Sequence, residues 1–474
     1  SSIDKLIIIS CIYACFEYAF KIPSYYIFGL KMFNQLTLQM IWFSVTTISV
    51  ILYEKCEECI KSEKCEIVIV GAGLAGYAAA LALSGTGADI IMLDRGTDKA
   101  GNASHSDPRT TALSPSSFKM LSCLDVLSAC RETPTPISAM KITEAVSVPK
   151  WPGGLLNFEG TDDGALAYMV RNHDLHAAFA KVSRNIPNIS ICQGQTVTDM
   201  EQTPNGMQLT VNNHQMICDL VVACDGRQSL VRDFLGTRVI QRDYHRAALV
   251  ADFSHSLPHE NIARQIFKTD GPLACLPLGR NPNGDHVSSF VWVEKTKRAQ
   301  NLSALSSERF SYALSEQLDG ALGDIEISDT PHCFPLALML AENYAAPHAV
   351  LLGDAAHVIH PLAGQGFNLT LRDAATLADN VFEAKMVGLK ACDMSVTDGY
   401  QLSRRADAFA MAGLTDSLNT MFGTSFLPLS WLRHAGLALV NNALPSQAKL
   451  AGQKYADRGT TAPPRLLRGH KFNG

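Results

Sequence analysis

Residues 65–83 read CEIVIVGAGLAGYAAALAL, and ADIIMLD follows at 88–94. CEIVIV is a short, β-branched apolar run of the kind that forms a buried strand. GAGLAG follows without a spacer, and the Ala- and Leu-rich run 77–83 favours a helix. ADIIMLD is a second strand that ends in an acid. Strand, glycine turn, helix, strand and acid stand in the order of a dinucleotide-binding unit. Gly71 permits the tight turn, Gly73 lets the backbone approach a pyrophosphate, and Gly76 lets the helix pack closely on the strand. The helix start offers free N–H groups and the positive end of its dipole to phosphates. Asp94, 23 positions after Gly71, can accept hydrogen bonds from a ribose diol. The motif alone leaves FAD and NAD(P) both open.

The surrounding composition suits a large folded protein. The chain has 474 residues, of which 47% are apolar and 18% charged. That apolar share supplies a sizeable core and excludes a mainly disordered chain. Lys and Arg number 40 against 45 Asp and Glu, a net charge of −5. A protein that binds nucleic acid in bulk wants a basic surface instead. The 13 Cys are odd in number and spread out, unlike a secreted disulfide framework, so a reducing compartment is expected. Cys56 and Cys59 form one CxxC without the second pair of ligands that a closed zinc site needs.

Two later strings extend the reading. DLVVACDGRQSLVR, 219–232, is a strand ending in Asp225-Gly226 with a helix start near Ser229. The Asp can cap local N–H groups and the Gly allows a sharp turn. AVLLGDAAHVIHPLAGQGFNLTLRDAATLADNVF, 349–382, places Gly353-Asp354 at the carboxyl end of another apolar strand, where ligands sit in open α/β sheets. Gly364, Gly366 and Asn368 precede a long helical pattern. A glycine turn opening a helix can present N–H groups to an electron-rich carbonyl. His357 and His360 lie beside Asp354, but no further ligand accompanies them, so no metal site is expected.

In order and spacing, GAGLAG with Asp94, SDPRTTALS (106–114), ACDGRQSLVR (223–232) and GDAAHVIHPLAGQGFNL (353–369) resemble the flavoprotein aromatic hydroxylases typified by p-hydroxybenzoate hydroxylase. The resemblance to the ubiquinone-biosynthesis hydroxylases within that group is closest. It covers about residues 65–445. It implies an α/β fold: a Rossmann-like FAD-binding domain with an inserted antiparallel-sheet substrate domain and C-terminal helices. It also implies that Gly71, Gly73 and Gly76 wrap the FAD pyrophosphate, with Asp94 on the adenosine ribose and Arg95 beside it. Arg109 would lie near the flavin, and Arg171 would contact the cofactor. Asp225 belongs to a motif linked to FAD and NAD(P)H. Gly353 and Asp354 would meet the ribityl chain, and Pro361, Gly364, Gln365, Gly366 and Asn368 would line the isoalloxazine ring. The family pattern carries a glycine-containing pair after the Asn, where this chain has Thr370 and Leu371.

The activity so implied is hydroxylation of a polyprenylated phenol or methoxyphenol in ubiquinone biosynthesis, using NAD(P)H and O2 through a flavin C4a-hydroperoxide. Only one GxGxxG is present, which suits a transiently visiting NAD(P)H. The resemblance further implies a cytoplasmic protein at the inner membrane's cytoplasmic face, with peripheral membrane contact and partner proteins of the same pathway. A related reductase or halogenase and a non-catalytic assembly partner remain open alternatives. No general base for the phenol stands out, so no catalytic residue is assigned.

The expected divisions are 1–64, 65–243 and 337–395 (the two parts of the FAD-binding domain), 244–336 (the substrate sheet) and 396–474 (helices and tail). Within 244–294, alternating apolar positions broken by Pro, Gly and Asn read as antiparallel strands. For residues 1–64, whose run 36–53 is uncharged, a membrane anchor, a buried or interfacial helix and an extension foreign to the natural protein all compete. The apolar run 426–444 reads either as core or as a membrane-docking helix.

Overall fold

Two sheets carry most of the chain in a computed structural model, which describes residues 64–96, 107–144, 156–160, 164–268, 270–327, 329–360, 364–422, 457 and 462–472. The readings for 1–63, Pro361 and 426–444 fall outside these described residues.

The first sheet is centred on β1 (Lys64–Val70). It pairs in parallel with β2 (Ile90–Asp94) on one side and β11 (His214–Ala223) on the other. β8 (Ile189–Gln193) extends it beyond β2, and β19 (Ala349–Leu351) beyond β11, both in parallel. The hairpin β9 (Val197–Thr203) and β10 (Gly206–Val211) and the short β18 (Ala345–Ala346) add antiparallel edges. Ile67, Val68 and Ile69 are fully buried, as expected of a strand covered on both faces. Helix α1 (Leu74–Ser84) is buried from Gly76 to Leu83. It packs between α8 (Gln365–Met386) and α4 (Asn172–Ser183).

The second sheet has the order β20-β17-β12-β15-β14-β13-β5-β6, with β16 (Ile325–Glu326) on the end of β12. Its centre is the 17-residue β12 (Val239–His255), antiparallel to β15 (His286–Lys295) and β17 (His332–Ala341). β14 (Leu273–Arg280) and β13 (Ile262–Phe267) follow. The sheet also recruits β5 (Ala139–Glu144), β6 (Leu156–Glu159) and β20 (His357–Val358) from outside 244–336. A third, small sheet joins β3 (Thr110–Leu113), β7 (Ala167–Arg171) and β4 (Thr135–Ile137).

Alternation along β12 separates two faces. Ala247, Leu249, Ala251 and Phe253 face the helices α6 (Thr296–Ser303) and α7 (Ser307–Leu318), packing with Phe290, Trp292, Phe310, Leu314 and Leu318. Each large side chain buried there contributes about 1.5–3 kcal/mol. Ala248 and Val250 point the other way, with Val293, Leu336, Tyr244, Val291 and Phe334. The residues of this cluster all come from strands of the second sheet. Helices α2 (Pro115–Cys123), α3 (Val126–Ala129), α5 (Leu230–Phe234) and α9 (Met394–Phe422) complete the described chain. Among the described residues no helix is long and apolar enough to cross a membrane.

Candidate functional site

The glycine turn after β1 is held from three sides. Gly71 has φ +103°, and a Cβ there would stand 2.5 Å from the Cys224 carbonyl oxygen. Its N–H donates to Leu93 O at 2.7 Å, tying β1 to β2. A Cβ on Gly76 would stand 1.9 Å from Gly71 O, so α1 reaches the turn only because residue 76 has no side chain. Gly73 differs: nothing lies within 4 Å of its Cβ position. It caps α1 with no side-chain hydrogen bond. The turn therefore leaves open space in front of an uncapped helix N-terminus, which is the shape and polarity a pyrophosphate needs. At the end of β2, Asp94 is partly exposed and accepts the Gly96 N–H at 3.3 Å, and Arg95 is exposed.

Gly353 has φ +63°, and its Cβ position is crowded at 3.1 Å by Ala75 on α1 and Thr370 on α8. Thr370 and Leu371, the departure from the family pattern, are buried. Thr370 packs on Gly353 and brings α8 and α1 together there. The next residue, Asp354, keeps its side chain exposed although protein surrounds it closely, as on the floor of a cleft. That crowding pushes its carboxyl up, while His357, Arg109 and Arg227 pull it down.

Asp225 marks the third corner. Its Oδ2 accepts the Leu230 and Val231 N–H groups at 2.7 and 3.2 Å, capping α5, while its buried Oδ1 has no partner. An orphaned carboxylate oxygen beside the Gly71 turn suits a hydroxyl donor from a bound dinucleotide. Gly364, at φ +63°, ends the turn into α8 and abuts Ala112. Gly366 has open space at its Cβ position. Gln365 is partly buried and accepts from Arg372 at 3.4 Å.

Three predicted residues are engaged by the protein itself. Asn368 is fully buried; it accepts the Ser114 N–H at 2.9 Å and donates to Ala112 O at 2.8 Å and Gly364 O at 3.1 Å. It staples the SDPRTTALS string to the glycine turn. Arg171 donates to Asp252 at 3.0 Å and pairs with Glu132. Arg109 forks onto Asp107 at 2.8 Å through two nitrogens and lies 5.4 Å over the Phe334 ring. Arg109 and Arg171 both reach the inner face of the second sheet from the dinucleotide side. Arg109, which also feels the Asp354 carboxylate, links that apolar face, with Val250, Val291, Phe334 and Leu336, to the Asp354 corner.

Sequence reading missed what holds these pieces. His357 Nε2 lies 2.6 Å from Asp373, which also accepts the Gly353 N–H at 3.2 Å and Arg404 at 2.7 Å. Arg404 and Arg372 both bond Asp407 at 2.9 Å. Burial pushes Asp373 up, but His357 and Arg404 outweigh it and hold its carboxyl below the usual range. The network fixes the Gly353–Asp354 corner to α9. His176 rests 3.1 Å from Ala72 O and supports the first glycine turn. No spacing rule links these residues, which come from distant segments. Among the described residues no group of His, Cys, Asp and Glu is arranged to hold a metal.

Open space before an uncapped helix, the orphaned Asp225 oxygen and the exposed Asp354 carboxylate define a dinucleotide-binding site. The model of the family described as FAD binding domain matches residues 64–408, so the chain belongs to that family and its cofactor is FAD. The chain is 29% identical over 409 residues to the ubiquinone hydroxylase UbiL of Rhodospirillum rubrum, covering 85% of this chain and 92% of that one. It is 28% identical over 400 residues to the 3-demethoxyubiquinol 3-hydroxylase of Escherichia coli, covering 82% and 98%. The crystal structure of p-nitrophenol 4-monooxygenase PnpA from Pseudomonas putida DLL-E4 aligns at TM-score 0.66 and 18% identity, covering 83% of this chain and 98% of that one; this likeness shows the fold. The protein is an FAD-dependent monooxygenase.

Proposed function

We propose that the protein hydroxylates a polyprenylated phenol or methoxyphenol in ubiquinone biosynthesis, with NAD(P)H as a transient co-substrate and O2 as the oxygen source. The observation that carries this reading is the apolar inner face of the second sheet, Ala248, Val250, Val291, Val293, Phe334 and Leu336, joined to the Asp354 corner through Arg109. A polar substrate gains little from such a wall, whereas an aromatic ring with an isoprenoid tail buries apolar area against it. The names of the relatives point to the same substrate class.

FAD, when bound, supplies electron transfer from NAD(P)H to O2 and delivery of one oxygen atom to the ring. The chain's own residues do the rest. Gly71, Gly73 and Gly76 admit the pyrophosphate to the α1 N-terminus, and Asp94 takes the ribose. Asp354 binds the ribityl hydroxyls, and Gly364 and the first turn of α8 lie along the flavin ring, with Asn368 setting the geometry at Gly364. Residues 65–243 and 337–395 form the FAD-binding domain, and 244–336 contribute most of the substrate wall. The wall excludes water from the reacting centre. The protein works in the cytoplasm against a membrane surface that delivers its lipid substrate, among partner proteins of the pathway.

The test is direct. Purified protein should be yellow and release FAD on denaturation. NAD(P)H oxidation and O2 uptake should rise on addition of a 2-polyprenylphenol, with a hydroxylated product by mass spectrometry. NAD(P)H consumption that no prenylphenol stimulates would overturn the substrate assignment.

A further inference from the structure

His360 is 1% exposed, and neither ring nitrogen has a hydrogen-bond partner. A buried polar group without partners costs about 1–3 kcal/mol, and few native side chains are left so. The ring meets Tyr244 edge-on, with centroids 5.2 Å apart. The Tyr244 hydroxyl is also buried and lacks a partner in hydrogen-bonding geometry. Three ring or hydroxyl positions are left to satisfy: among the described residues Asp416 approaches the Tyr244 hydroxyl without hydrogen-bonding geometry, and no group serves either nitrogen of His360.

Their place in the fold gives them a ligand. His360 follows β20, which pairs with β17 at Met339 and Leu340, and it stands four positions before Gly364, the N-cap of α8. Tyr244 lies at the irregularity in β12, between Asp243 and Arg246, and packs on the apolar cluster of Ala248, Val250, Val293 and Leu336. The pair therefore forms a polar spot at the edge of an apolar wall, beside the turn that would line the flavin.

We propose that His360 and Tyr244 together hold the phenolic hydroxyl of the aromatic substrate. This rests on the prenylphenol reading above and supplies the polar contact that reading lacked. Burial holds His360 neutral, with its pKa down at about 4; Arg246 on β12 adds to the effect and Asp416 on α9 opposes it. Burial, then Asp416, push the Tyr244 hydroxyl up to about 12, with Arg242 opposing. A neutral imidazole has one lone pair and one N–H. The lone pair accepts the substrate's O–H, and the Tyr244 hydroxyl donates to the same oxygen. The imidazole lone pair and the Tyr244 hydroxyl then each make a hydrogen bond that they lack, and the ring is fixed by its oxygen while the tail follows the apolar wall.

The experiment compares two ligands on the FAD-loaded full chain: 2-farnesylphenol and its methyl ether, 2-farnesylanisole. Binding is read from the absorption change of the bound flavin. The wild type should prefer the phenol by roughly tenfold, the ratio expected when an ether leaves buried partners unmatched. His360→Phe and Tyr244→Phe should each bring that ratio close to one while leaving ether binding intact. His360→Gln, whose amide keeps an acceptor and a donor, should retain part of the preference. FAD content and the unfolding midpoint are measured on every variant, and His360→Gln and Tyr244→Phe carry the test if His360→Phe does not fold. An unchanged ratio in variants that hold FAD overturns the proposal, as does a wild type that binds both ligands equally while still hydroxylating the phenol; in both cases the proposed function stands. A wild type that binds neither ligand overturns the prenylphenol reading and this assignment together.

Discussion

His357 and His360 stand three residues apart on the same edge of the second sheet, and both are almost wholly buried. Their surroundings could hardly differ more. His357 is bonded to Asp373 and through it to Arg404, Asp407 and Arg372. His360 has nothing. A buried charge survives only with partners, because removing it from water costs several kcal/mol, so the region behind His357 is scaffold. A buried group left without partners is a cost that the fold alone does not explain, so the region around His360 is kept for a ligand. The two sides of this edge separate what holds the cofactor corner from what meets the substrate.

The largest expected effect tests the scaffold side. Asp373→Ala should cost about 3–5 kcal/mol, because it strands Arg404 and His357 in the interior, and FAD retention should fall as the Gly353 N–H loses its acceptor. Urea unfolding with FAD content read in parallel measures both. An unfolding midpoint equal to that of the wild type would erase the contrast between the two histidines.

A third set of imidazoles falls between the extremes. His255, His259 and His286 cluster with ring centroids 5.4–5.9 Å apart. Unlike His360, His255 and His259 have partners on both nitrogens. Burial takes His255 from 6.5 down to about 4, and His259 shifts the same way. The unfolded chain therefore binds more protons than the folded chain between these values. Stability should be full above pH 6.5 and fall as the pH drops through that window, by about 2–3 kcal/mol at its lower end. Urea midpoints from pH 7 to 4 check this, and His255→Leu should flatten the slope. A midpoint that holds steady over that range would show that the cluster accepts protons without strain.

The glycines sharpen the scaffold-versus-ligand distinction on the other sheet. Gly76→Ala should cost about 1–3 kcal/mol by overpacking against Gly71 and should also lower FAD affinity. Gly73→Ala should leave the unfolding midpoint of the apoprotein nearly unchanged yet weaken FAD binding, since its Cβ enters only the open space. Titration with FAD beside apoprotein unfolding separates the two, and equal stability losses would mean that the open space is not a ligand site. The smallest effect belongs to His360→Leu. Removing an unsatisfied buried group should leave stability unchanged or raise it by about 1 kcal/mol. A loss of several kcal/mol would mean that the orphaned ring has a structural duty.

Much of this was legible in the chain. GAGLAG and the GD string carry local instructions: a positive φ that favours Gly at Gly71 and Gly353, and a close approach that forbids a Cβ at Gly76. The alternation in 244–294 announced antiparallel strands for the same reason, since period-two burial is a property of each strand. The partners of charged and amide side chains were not legible. Arg109 and Arg171 were expected at the cofactor, and the structure shows their guanidiniums on Asp107 and on Asp252 with Glu132. Asn368 was expected along the flavin, and it staples Ser114 and Ala112, more than 250 residues away in sequence. Long flexible side chains take partners from whatever element the fold brings near, and that information is not local.

The sequence by itself determined the parallel sheet around β1, the glycine turns and a dinucleotide as their ligand, because backbone freedom and apolar period are written residue by residue. Only the tertiary structure decided which of two histidines three residues apart became scaffold and which was left open. That outcome depends on Asp373 from α8 and Tyr244 from β12 arriving at the same edge, and a hydrogen bond exists only where the fold delivers both its donor and its acceptor.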